Sequence, residues 1–272
     1  MIADTGLALS TAALVIAALM LATWLVSVAL KNASIVDVVW GLGFVCVAWA
    51  VRLRVDGDSA RQNLLVAMTT VWGLRLACHL FWRNHVASAT SAGEDYRYRA
   101  MRKRWGPRFP IISLITVFVV QGVLMFIVSL PAQLGQVPTT PTLGPLAWAG
   151  VALFAIGLFF EVVGDAQLTR FRRDPASAGT VMNRAVLNKG LWRYTRHPNY
   201  FGDACVWWGI ALVAAETGLG RWGLLGALLM TLLLRRVSGV TLLEKSLVKR
   251  RAGYDEYVAR TSAFVPRPPK RA

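Results

Sequence analysis

Five stretches of this 272-residue chain run on apolar side chains for about twenty residues, near 8–30, 34–52, 62–83, 110–130 and 145–167. Two shorter ones follow near 201–216 and 220–236. A hydrocarbon layer about 30 Å thick needs roughly 20 residues of helix at 1.5 Å each, so every long run predicts a crossing. An open sheet edge in lipid would leave backbone N–H and C=O groups without partners, which rules out strands. Apolar types make up 56% of the chain and charged types 16%, against about a quarter charged in soluble domains. That balance excludes a soluble enzyme, a disordered chain, a coiled coil and a disulfide scaffold. The expected fold is all-α, a polytopic membrane helix bundle of about seven transmembrane helices. The first run has only Asp4 before it and is too long for a signal-peptide core, so it is expected to remain as a transmembrane helix. Residues 1–34 would form this amino-terminal span and residues 35–272 the main membrane domain.

The formal charge is +16, from 30 basic and 14 acidic residues. Residues 83–108 carry seven lysines and arginines, 168–200 seven more, and the segment from 235 onward ten, while loop 131–144 carries no charge. Seven spans put the three basic segments on one side. The positive-inside rule then places the amino terminus outside, the carboxyl terminus in the cytoplasm and the chain in the cell inner membrane. In so apolar a chain this excess speaks for membrane lipids and an anionic ligand, and against nucleic acid. Cys46, Cys78 and Cys205 lie far apart in apolar runs and read as small hydrophobes. With His79, His85 and His197 as the only histidines, no metal site is expected.

An ionisable residue inside a span is a functional signal by default. Asp37, Glu161, Asp165, Asp203 and, past the last span, Glu244 are such residues, joined by Arg75 and His79. Their expected depths agree, which points to one polar cavity in the cytoplasmic half; separate structural pairs, such as Asp37 with Arg75, are the alternative. Glu161, Asp165, Leu168 and Arg172 share one helix face. Pro198 suits the first turn of a helix, on which Asn199, Asp203 and Trp207 then align. Arg193 and Arg196 stand just before this helix start, as at an anion site. Gly202 and Gly209 allow a backbone or a flat ring to approach. The competing reading is an interfacial belt of Tyr194, Tyr200 and Trp207 with snorkelling arginines. The tail 237–272 has helical spacing up to Pro266, Pro268 and Pro269 and should lie at the cytoplasmic face.

Arg196-His197-Pro198-Asn199-Tyr200-Phe201-Gly202-Asp203 followed by Trp207 resembles the signature of the steroid 5-alpha-reductase, sterol reductase and isoprenylcysteine methyltransferase superfamily. Asp37-Val38-Val39-Trp40-Gly41-Leu42-Gly43, Trp72-Gly73-Leu74-Arg75, Gly93-Glu94-Asp95-Tyr96-Arg97-Tyr98 and Ser238-Gly239-Val240 with Leu243-Glu244-Lys245 resemble its bacterial DUF1295 branch, over about residues 35–268. The resemblance implies a seven-helix reductase binding NADPH in a cavity facing the cytoplasm. It places cofactor contacts on Asn199, Asp203 (where reductases carry Glu) and Trp207, on Asp165 and Arg172, and on Tyr257. Glu161, Tyr194, Arg196, His197, Tyr200 and Glu244 complete the expected cofactor set, and Asp37 with Tyr96 or Tyr98 is the candidate group at the substrate carbonyl.

The expected reaction is hydride transfer to the β-carbon of an enone in a lipid or steroid-like substrate, with a high-pKa donor steadying the enolate oxygen. No Gly-x-Gly-x-x-Gly follows a strand, so a Rossmann domain is not expected. Two rival readings are a methyltransferase of the same fold using S-adenosylmethionine, whose cofactor lacks phosphate, and a transporter, which predicts inverted repeats and broken helices that are not evident here.

Overall fold

A computed structural model of the chain describes residues 1–85, 94–141, 143–174, 186–237, 240, 244 and 253–270. Gly93, Ser238, Gly239, Leu243 and Lys245, singled out above, lie outside these residues. Among the described residues the regular elements are helical: α1 (Ile2–Ala29), α2 (Ile35–Arg52), α3 (Ser59–His85), α4 (Tyr96–Trp105), α5 (Phe109–Ser113), α6 (Val120–Val128), α7 (Leu130–Leu134), α8 (Pro145–Arg173), α9 (Pro198–Ala215), α10 (Leu224–Leu232) and α11 (Tyr254–Arg260). A wide π turn, Leu114–Val119, joins α5 to α6, and another, Leu233–Val237, extends α10.

Ile2–Ala29, Ile35–Arg52, Ser59–Asn84, Tyr96–Val128 and Pro145–Arg173 are each long and apolar enough to cross a membrane. The protein is therefore an all-helical, multi-pass membrane protein. The two shorter expected spans correspond to α9, of 18 residues, and to α10, of nine residues with its π extension. Two boundaries differ from expectation for a local reason. The basic segment Tyr96–Arg108 is helical and runs on into the fourth apolar run, and α8 continues past Asp165 to Arg173. Arginine and lysine are good helix formers, so neither charged stretch ends its helix.

The chain forms two compact units, Met1–Trp148 with Ile210–Gly226, and Ala149–Gly209 with Ala227–Ala272. In the first, α1 buries Ala8, Ala12, Ile16, Met20, Thr23 and Ser27, mostly small residues recurring every three or four positions, and exposes Leu14, Leu21 and Leu25. Lipid solvates leucine as well as a protein core does, so close packing of small side chains decides which face turns inward. The buried hydroxyls answer to their own helix, Thr23 Oγ1 donating to Leu19 O and Ser27 Oγ to Trp24 O. Helices α2 and α3 meet backbone to backbone: a Cβ on Gly41 would come within 2.5 Å of Gly73 O. Phe44 stacks edge-on against Trp40 and Trp72 beside them. Buried amides bond to backbone carbonyls between segments, with Gln62 Nε2 donating to Val55 O and Gln136 O, and Gln136 Nε2 to Ala48 O in the last turns of α2.

In the second unit, α8 lies on α9 along a glycine seam. A Cβ on Gly202 would stand 2.5 Å from Gly157 O and 2.7 Å from Glu161 N, and one on Gly209 would stand 2.6 Å from Gly150 O. Glycines at 150, 157 and 164 on α8, facing 202 and 209 on α9, recur every seven residues and so fall on one side of each helix. Gly202→Ala should lower the thermal midpoint, since overpacking a closed contact costs about 1–3 kcal/mol. Gly6→Ala, where a Cβ meets nothing within 4 Å, should leave the midpoint unchanged or raise it. Equal midpoints for Gly202→Ala and the parent would refute the seam.

Candidate functional site

The ionisable residues gather in two clusters, one in each unit. In the first unit, Asp37 stands in the opening turn of α2. Its Oδ2 accepts from Arg97 Nη2 at 2.7 Å and its Oδ1 from the Tyr98 hydroxyl at 2.8 Å, while Gln121 Nε2 donates to the Tyr98 oxygen at 3.4 Å. Tyr98 is buried and Tyr96 is 69% exposed, which separates the two tyrosines that spacing alone left open. A phenol carries one proton, so Tyr98 donates to Asp37 here and gives its proton to another acceptor only by exchanging that bond.

The segment before α4 fixes this geometry. Asp95 caps α4 by accepting from Arg97 N, and its own N–H donates to Ser34 Oγ at 2.6 Å. Glu94 accepts from Ala33 N at 2.7 Å and takes both Nε and Nη2 of Arg102 in a fork. Burial pushes the Glu94 carboxyl up, but the hydrogen bonds from Arg102 and Ala33 outweigh it and hold it below the usual range. Glu94, Arg97, Arg102 and Gln121 were not singled out as site residues, although the first two lie in the Gly-Glu-Asp-Tyr-Arg-Tyr block. Arg97, which the sequence reading did not name as a partner of Asp37, forms an ion pair with it.

The second cluster is built on the seam. On α8, Glu161 is 2% and Asp165 8% exposed. Asn199, in the first turn of α9, donates from Nδ2 to Asp165 Oδ1 at 3.1 Å and accepts Tyr200 N on its Oδ1. Gly164 sets this approach, since a Cβ there would meet Asn199 N at 3.3 Å and Pro198 Cγ at 3.2 Å. Asp203 follows one turn later on α9, and Trp207 is fully buried a turn beyond. Arg172, Arg193 and Tyr194 are exposed.

Arg196 makes its hydrogen bonds within the protein. Its guanidinium is buried and spent on protein: Nε and Nη2 grip Glu244 at 2.6 and 3.0 Å, and Nη1 donates to Val258 O and Thr261 O. His197 Nε2 lies 3.1 Å from Glu244 Oε1, and its ring stacks on Tyr200 with planes 5° apart. Burial pushes the Glu244 carboxyl up, yet hydrogen bonds from His197 and Arg196, and then their charge, hold it down at about 2.

Around this clamp the tail is stitched to the loop before α9. The Tyr257 hydroxyl donates to Trp192 O, Thr195 Oγ1 to Phe264 O, Arg196 N to Ser262 O, and Arg267 N to Tyr194 O. Trp192 Nε1 anchors the loop to α8 through Gly164 O. Burial raises the Tyr257 phenol above its ordinary value, and its proton is committed to Trp192. Trp192, Thr195 and Phe264 were missed because their partners lie 28 or 69 residues away.

A helical, multi-pass membrane protein with polar clusters on its helix starts is thus defined. Residues 23–261 match the family described as "Protein of unknown function (DUF1295)", and the chain belongs to that family. The family is related to the steroid reductase and methyltransferase superfamily, a set of membrane enzymes. An uncharacterized protein of Schizosaccharomyces pombe is similar, 23% identical over 218 residues; these cover 71% of this chain and 60% of the yeast protein, so the chain spans less than two thirds of that relative's length. No solved structure matches.

The clamp predicts an acid-sensitive second unit. Because the folded value of Glu244 lies below the ordinary 4.5, its contribution is fully present above about pH 4.5 and is lost as the pH falls toward 2. The thermal midpoint of the parent should therefore fall over that window by more than that of Glu244→Gln. Parallel pH profiles would show that Glu244 is not held by charge.

Proposed function

We propose that this chain is a membrane-embedded, NADPH-dependent reductase of a conjugated C=C bond in a lipid or steroid-like substrate. In this reading α9 and α10 complete seven crossings, the amino terminus lies outside, and the cofactor site opens to the cytoplasm from the inner membrane. The observation that carries the reading is the Asn199–Asp165 hydrogen bond, held by the glycine seam at the first turn of α9.

A nicotinamide dinucleotide suits the chemistry of these residues. The Asn199 amide has two N–H groups and two acceptor positions; with one of each engaged, the others match a carboxamide. Lys189, Arg193 and Arg172 are exposed cations of the kind that phosphates need. Asp165 orients the Asn199 amide, and Arg196 with His197 and Glu244 holds the loop that delivers it, acting through the fold without touching a ligand. Bound there, the reduced nicotinamide supplies hydride. In the first unit, the Tyr98 hydroxyl held on Asp37 is an O–H donor of the type that steadies developing enolate charge.

The occupation of Arg196 by Glu244 favours keeping one second reading. With that cation spent on protein, fewer positive groups remain for phosphate. An S-adenosylmethionine-dependent methyltransferase of the same superfamily places no demand on them.

Ligand-induced stabilisation separates the two. Purified protein should gain thermal midpoint with NADPH, more than with NADH, and not with S-adenosylmethionine or S-adenosylhomocysteine. At a hundred-fold excess over the dissociation constant the gain corresponds to about 2.7 kcal/mol. Asn199→Ala should abolish the shift. Arg193→Ala should weaken it, and Arg196→Met should lower the midpoint without ligand. A shift with the methyl donor alone overturns the reductase reading.

A further inference from the structure

The basic residues of α4 and of the turn after it differ in what they bind. Arg97, half exposed, and Arg102 are committed to Asp37, Asp95 and Glu94. Lys103, Arg104 and Arg108 are exposed and take part in no ion pair among the described residues; Arg104 lies over the Trp105 ring, 5.3 Å from its centroid. Beyond the break at Gly106, where φ is 51°, an exposed stripe runs from Arg108 through Ile111, Ile115, Val119 and Val123, recurring every three or four residues. The chain thus passes from a cationic mouth to an apolar face with no polar break.

That face leads into a groove of about 420 Å³ between α1 and the α5–α6 helix. Ala13, Ala17 and Leu21 form one wall, and Phe118, Gly122 and Val123 are among the residues of the other. Small residues at Ala13, Ala17 and Gly122, together with the π turn, keep the two helices from filling the space. The hydrogen bond from Trp24 Nε1 to Pro110 O, at 2.9 Å, joins the same two helices on the α4 side of the groove. Both walls belong to helices apolar enough to cross a membrane, so the medium beside the groove is hydrocarbon. From Leu114 to Phe126 it extends about 18 Å along the helix axis, close to the depth of one leaflet, roughly 15 Å.

We propose that this surface binds one anionic diacyl phospholipid, with its headgroup on Lys103, Arg104 and Arg108 and one acyl chain lying in the groove. Three exposed cations that form no ion pair among the described residues select a headgroup with net negative charge over a zwitterionic one. Tyr96 and Trp105, exposed on α4, set the helix at headgroup level. A groove one leaflet deep with apolar walls suits a single chain and has no place for a polar ligand. The inference is independent of the reductase reading, because none of these cations or groove residues belongs to either cluster described above.

Native mass spectrometry of the full chain, after incubation with equimolar dioleoyl-phosphatidylglycerol and dioleoyl-phosphatidylcholine, tests it. The parent should retain one phosphatidylglycerol in preference to phosphatidylcholine by about tenfold, and 1 M salt before analysis should erase the preference, since exposed charges are screened within about 3 Å at that strength. The triple variant Lys103→Gln, Arg104→Gln, Arg108→Gln should lose the preference yet still carry phospholipid. Ala17→Trp, which places an indole in the groove from an exposed position, should reduce retention of both lipids. Equal retention of the two lipids by the parent at low salt, a preference that survives the triple substitution, or full retention in Ala17→Trp would each overturn the proposal.

Discussion

Hydrocarbon neither donates nor accepts hydrogen bonds, and most of this structure follows from that restriction. Backbone groups pair within helices, and buried side chains bond to backbone carbonyls between segments, as Gln62 and Gln136 do at Val55 O and Ala48 O. Hydrophobicity cannot drive one helix against another in such a medium, so contact surfaces are chosen by how closely backbones approach. The small-residue stripe of α1, the Gly41–Gly73 contact and the glycine seam of α8 and α9 are three instances of this one rule.

The seam does more than bring two helices together. With no side chain between Gly164 and the start of α9, the carboxylate of Asp165 reaches the amide of Asn199 directly. The clamp of Arg196, His197 and Glu244 then fixes the residues just ahead of that start. Truncating one member of a buried pair of this kind is expected to cost about 3–5 kcal/mol, because the remaining charge is stranded. Rigidity at Asn199 therefore comes from two directions, a helix seam on one side and an ionic knot on the other.

The helical class, the positions of the apolar helices and the start of α9 at Pro198 were legible because each is local. Apolar run length, proline position and helical periodicity act over a few residues. The shared face of Glu161 and Asp165 followed from the same periodicity. Partner choice was not legible, because it is settled between distant segments. Nothing near Arg196 indicates that it meets a carboxylate 48 residues later rather than a ligand. Tyr96 and Tyr98 are one full strand repeat apart but about half a turn apart on a helix, so their fates depended on α4 being helical, which its charge concealed. The π turn at Leu114–Val119 has no sequence mark that distinguishes it from ordinary helix.

The stitching of the tail to the loop before α9 sets an order of events in the cell. Trp192 and Tyr257 are 65 residues apart, and Thr195 and Phe264 are 69 apart. Domains and segments emerge from the ribosome amino terminus first, so α8 and α9 are in place before the residues that lock the loop between them exist. This corner of the protein consequently matures only after residues 257–264 have been made. A chain stalled or cleaved short of residue 257 would reach the membrane with its helices inserted and the loop before α9 unstitched.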